Sequence, residues 1–113
     1  MAILTIPEQF ERAFIAAANA ANDFPDDLDL SVDAARERIY LSNNFPGYCP
    51  YLRLTAREGD EVTVEICSIT NIRPDVEGGE WKHFDGVEAA VAVNLSDIDV
   101  AAQTAVEHWI TTL

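Results

Sequence analysis

Apolar side chains recur along this chain with two different periods, and the change of period marks out its elements. Phe10, Ala13, Phe14, Ala17, Ala18 and Ala21 follow the i, i+3, i+4, i+7 spacing that gathers side chains on one stripe of a helix. Thr5-Ile6-Pro7-Glu8 supplies a start for it, with Thr5 as N-cap, Glu8 as capping-box partner and Pro7 in the first turn, where its missing N–H is no loss. The helix is predicted to run to about Asn22, before Pro25 breaks it.

The period then drops to two. Leu28, Leu30 and Val32 alternate with Asp27, Asp29 and Ser31; after a connection through Asp33-Ala34-Ala35-Arg36, Ile39 and Leu41 alternate with Arg38 and Tyr40. This pattern predicts a hairpin, which competes with a short helix capped by Ser31. The stretch from Asn43 to Pro50 is dense in turn formers and reads as a loop. A second hairpin is predicted from Tyr51 to about Ile69, with Leu52, Leu54, Ala56, Val62, Val64 and Ile66 inward and Glu58-Gly59-Asp60 at the turn. Arg53, Arg57, Glu61 and Glu65 fall on its other face, where opposite charges can pair across strands.

No period is sustained from Thr70 to Gly86, so that region reads as irregular, with Trp81 to Phe84 as a short edge strand turning at Asp85-Gly86. Val87, Ala89, Val91, Val93 and Leu95 then alternate as a strand. Ser96 as N-cap, with Asp99 at the third helical position, opens a closing helix whose stripe is Ile98, Ala101, Ala102, Ala105, Val106, Trp109, Ile110 and Leu113. The predicted fold class is α+β. An antiparallel sheet of about five strands carries the N-terminal and C-terminal helices on one face as a two-layer sandwich, leaving the other face partly polar.

Composition agrees with a single domain spanning residues 1–113. The chain is 49% hydrophobic and 24% charged, a globular balance with enough apolar area for one core. No apolar run approaches the ~18 residues needed to cross a bilayer, and the first residues lack a signal-peptide pattern, so a cytoplasmic location is predicted. Cys49 and Cys67 are too few for a disulfide scaffold and read as reduced thiols.

Charge changes the picture more. Twenty Asp and Glu against seven Lys and Arg leave a formal net charge of −13. The excess is uneven. Asp23, Asp26, Asp27, Asp29 and Asp33 crowd one cation-free stretch, while Asp75, Glu77, Glu80, Asp85 and Glu88 crowd a later one that holds only Lys82. Such a field repels nucleic acid and anionic membranes and attracts basic proteins.

The chain carries no GxSxG, GxxxxGK[ST], GxGxxG, HExxH or EF-hand pattern. The aspartates from Asp23 to Asp33 lack the central glycine and terminal glutamate of a calcium loop. His83 and His108 belong to no motif, and a Cys49–His83 dyad is specified by nothing beyond residue type. No catalytic residue, metal ligand or cofactor is therefore predicted. Trp109 fits its helix stripe, whereas Trp81 lies in the acidic Glu77-Gly78-Gly79-Glu80-Trp81-Lys82 run, where an aromatic can equally anchor a protein interface or plug its loop onto the core.

Two functions fit this pattern. The first is a non-enzymatic inhibitor whose carboxylates stand in for phosphates in the basic groove of a nucleic-acid-handling partner, the strategy of small acidic anti-CRISPR, anti-restriction and nuclease-immunity proteins. Its partner-binding residues would be Asp23, Asp26, Asp27, Asp29, Asp33, Asp75, Glu77, Glu80, Trp81 and Glu88, with no direct contact to nucleic acid or membrane. The second is a homodimeric adaptor or secretion-chaperone-like protein that holds an apolar segment on its open sheet face or its alanine-rich helix.

Overall fold

The structure, a computed structural model, describes residues 3–22, 29–41 and 48–112. Helix α1 (Glu8–Ala20) is followed by strands β1 (Ser31–Val32), β2 (Ile39–Tyr40), β3 (Tyr48–Glu58), β4 (Glu61–Ile72) and β5 (Lys82–Asn94), and helix α2 (Ile98–Thr111) closes the chain. The strands form one antiparallel sheet in sequence order. The architecture is the α+β arrangement that the two periods predict.

One apolar core lies between the helices and the sheet. Phe10, Phe14 and Ala18 from α1 and Ala101, Ala102, Ala105, Val106 and Trp109 from α2 meet Ile39, Leu52, Leu54, Val62, Val64, Ile66 and Val93. The helices touch through Phe14 and Trp109, whose ring centroids are 6.2 Å apart. Aromatic burial on this scale dominates the energetics of a small core.

Several boundaries differ from the sequence expectation, each for a local reason. Thr5 does not cap α1. Pro7 occupies the N-cap position and no side chain caps it, because the preceding chain is held extended against the sheet. Ile3 bridges Thr55, Leu4 N donates to Leu54 O at 2.9 Å, and Ile6 N donates to Arg36 O at 2.7 Å. At the other end, Asp97 rather than Ser96 caps α2, accepting from Val100 N. Ser96 N is held by the Asn94 side chain at 2.9 Å. Ile110, expected in the buried stripe, is exposed, and Leu113 lies outside the described residues.

The β1–β2 hairpin forms in preference to a helix, although each strand is only two residues long. Asp33 Oδ1 accepts from Glu37 N at 2.8 Å and from Arg38 N at 3.0 Å, and this closes the turn in which Arg36 adopts φ 57°. The loop expected up to Pro50 ends sooner, since β3 begins at Tyr48.

The largest correction concerns residues 70 to 86. β4 continues to Ile72, and β5 is one strand from Lys82, with no turn at Asp85-Gly86. A bulge explains the misreading: Ile66 faces Ala89 but Cys67 faces Val87, so Glu88 is an extra residue on β5. Inserting one residue reverses the alternation, and a regular period of two is lost from the sequence although the strand is unbroken.

Candidate functional site

The β4–β5 hairpin outruns the helices. The helix-side core stops at Ile66 and Ala89, yet the ladder continues to the Ile72–Lys82 pair, roughly 20 Å further at a strand rise of about 3.3 Å per residue. Ile72, Phe84 and Val87 along this arm are exposed. Thr70 faces Phe84 and Ile72 faces Lys82, so Ile72 and Phe84 are diagonal neighbours on the sheet side that the helices cover elsewhere.

The arm ends in a turn that carries Asp75, Glu77, Glu80 and Trp81. Gly79 N donates to Val76 O at 3.0 Å. Gly78 takes φ 80°, and a Cβ on Gly79 would come within 2.8 Å of the Pro74 Cβ. Both glycines are thus required by the turn. The turn folds around an open cleft of about 540 Å³ lined by Arg73, Asp75, Glu77 and Trp81 among others. Trp81 is 56% exposed; it stands on the surface and does not plug the core.

The cations are largely engaged elsewhere. Arg12 pairs with Glu8 at 2.8 Å, Arg36 with Glu11 at 2.6 Å, Arg53 with Glu65 at 2.8 Å and Arg57 with Glu61 at 3.0 Å. The Arg38 guanidinium sits 4.4 Å from the centre of the Tyr51 ring. These are the four ion pairs among the described residues, and none includes Asp75, Glu77 or Glu80.

The sheet face away from the helices is a packed polar layer. Tyr51 is fully buried there, with Arg38 over its ring and the Tyr40 ring edge-on at 6.5 Å. Its hydroxyl donates to Asp85 Oδ1 at 2.7 Å. Burial, together with that donated bond, pushes the Tyr51 phenol well above its usual range. Cys67 lies opposite Tyr51 on β4; burial pushes its thiol up, with Arg53 pulling the other way.

Among the ten partner-binding residues read from the sequence, the structure brings Asp75, Glu77, Glu80 and Trp81 together on one arm. Glu88 lies at the bulge further down and accepts from the Ser68 hydroxyl at 2.7 Å. Asp29, two residues before β1, is exposed, while Asp33 serves its own turn. Asp23, Asp26 and Asp27 lie outside the described residues. The two acidic zones do not converge where they are described. β1 and β5 are opposite edges of the sheet, about 19 Å apart over four strand spacings. The sequence pattern places Phe84 on a short edge strand but ends β4 near Ile69, so it misses that Ile72 and Phe84 stand together on one paired arm.

Among the described residues no three His, Cys, Asp or Glu side chains gather where they could hold a metal ion. Cys49 on β3 and His83 on β5 have β4 running between them. Cys49 is an exposed free thiol and Cys67 a buried one. No helix among the described residues is long and apolar enough to cross a membrane. Comparison with protein-family models, with curated proteins and with solved structures finds no significant match to this chain.

Proposed function

We propose that this protein is a non-enzymatic binder that occupies the basic groove of a nucleic-acid-handling protein and inhibits it, using the β4–β5 arm as its contact element. The observation that carries this reading is the end of the arm. Three carboxylates outside every described ion pair stand beside an exposed tryptophan, while five of the seven cations are engaged on the body. Arg73 and Lys82 share the arm and offset part of its charge; the carboxylates in excess raise the association rate with a basic surface, and an aromatic anchor slows dissociation. Glu88 and Asp29 add to the field, as do Asp23, Asp26 and Asp27, and Asp33 contributes its charge while holding its turn.

The alternative, a chaperone for an apolar segment, rests on the open sheet face and the alanine-rich helix, and both of those surfaces are largely taken up by the protein's own side chains. The open sheet face is filled by Tyr40, Tyr51, Arg38 and the Arg53–Glu65 pair, and Ala13, Ala17 and Ala18 of α1 pack on the core.

The test is capture on beads bearing the full chain, followed by elution with rising salt or with competing duplex DNA. Binding should weaken steeply with salt, because exposed charges are screened beyond about 10 Å at ~0.1 M ionic strength. DNA should displace the captured protein, and the variant D75N/E77Q/E80Q should capture about tenfold less. Capture that is indifferent to salt, to DNA and to the triple variant sinks the proposal.

A further inference from the structure

β5 is two different edges in one strand. Order places it at the margin of the sheet, and among the described residues no strand or loop pairs with its outer side. Its first half carries the features that keep an open edge from pairing: Lys82, Asp85, Gly86 and the bulge at Glu88. Its second half, Ala89 to Asn94, has no charge, no proline, no glycine and no bulge. The backbone donors and acceptors along that half are a template for another strand.

We infer that residues 89–93 of β5 pair antiparallel with the same residues of a second copy, joining two sheets into one across a twofold axis at Val91. A basic segment of another protein would find no carboxylate between Ala89 and Asn94, so the chemistry of that half does not suit the partner proposed for the arm. It suits itself. With the axis normal to the sheet each side chain keeps its face, which requires opposed residues of equal parity; centring on Val91 sets Ala90 against Ala92 and Ala89 against Val93. No like charges are directly opposed. The contact is isologous and closes at two chains, and the acidic arms then project from opposite ends of the joined sheet.

This interface stands apart from the acidic arm, and salt separates the two. Two copies of a chain with net charge −13 repel each other, so self-association should strengthen as salt screens that repulsion, the reverse of binding to a basic partner.

Analytical ultracentrifugation over a concentration series, in low and in high salt, should show mass moving from 12.5 kDa toward twice that value, with the midpoint at lower protein concentration in high salt. The variant A90K/A92K places Lys against Lys in both symmetric pairs and should weaken the dimer about tenfold or more. A90K/A92E places Lys against Glu and should restore it. Both positions are exposed, and thermal melts check that each variant folds. Amide exchange of residues 89–93 in the wild-type chain should slow as concentration rises. A chain that stays monomeric in both salts overturns the inference. So does a dimer on which the two variants act alike, or one whose formation leaves exchange along 89–93 unchanged.

Discussion

The Tyr51 hydroxyl donates to the Asp85 carboxylate at 2.7 Å across the intervening strand β4, tying β3 to the arm on the face opposite the helices. The bond holds the phenol in its neutral form. An unfolded tyrosine ionises near pH 10, whereas the folded phenol, raised by burial and by this bond, keeps its proton beyond that. The folded state therefore binds more protons above about pH 10, and the stabilisation, complete below that pH, is lost as pH rises further. Melting temperature should fall in the alkaline range, and Tyr51→Phe should flatten that fall. Identical alkaline slopes for the two proteins would remove the assigned role.

The two cross-strand arginine pairs should differ in strength. Glu65 is buried against Arg53, whereas Glu61 and Arg57 are about half exposed. In urea titrations, Glu65→Ala should cost about 1–3 kcal/mol by leaving a half-buried guanidinium without its acceptor, and Glu61→Ala no more than about 0.5 kcal/mol. Equal costs would contradict the burial difference.

Asp33 separates structural from binding carboxylates. Asp33→Ala removes the acceptor of two backbone N–H groups and should lower stability by about 1 kcal/mol. Asp33→Asn should retain most of the turn, and in both variants capture of a basic partner by the arm should persist.

The arm's own carboxylates should behave in the opposite way. Because Asp75, Glu77 and Glu80 are in no described ion pair, D75N/E77Q/E80Q should leave stability within about 0.5 kcal/mol of wild type. A large loss in a thermal melt would mean that these groups serve the fold.

The thiols give a check on the buried polar layer. A disulfide-exchange reagent should modify Cys49 in the native protein and reach Cys67 only on unfolding. Rapid reaction of both thiols would show that the face around Tyr51 opens readily.

Local pattern was enough for α1, for the β3–β4 hairpin with its Arg53–Glu65 pair, and for the buried positions Ala101, Ala102, Ala105, Val106 and Trp109 of α2. Burial of one face imposes a period on each element, and a period can be read without knowing what lies opposite. The net charge and its crowding between Asp75 and Glu88 were equally legible, as was the lack of any catalytic motif. The three-dimensional arrangement decided what depends on contacts between distant parts of the chain. Pairing of Ile3 and Leu4 with β3 withdrew Thr5 from its cap, and the bulge at Glu88 joined the short edge strand expected near Trp81 to Phe84 to the strand from Val87, with no turn between them. Tyr51 took one oxygen of Asp85 as its acceptor and the Asp33 turn took a second carboxylate, while strand order put β1, beside which Asp29 and Asp33 lie, at the edge opposite the arm. Periodicity records which side of an element is buried; which strand stands beside it, and so which charges remain free, is settled only when the sheet is assembled.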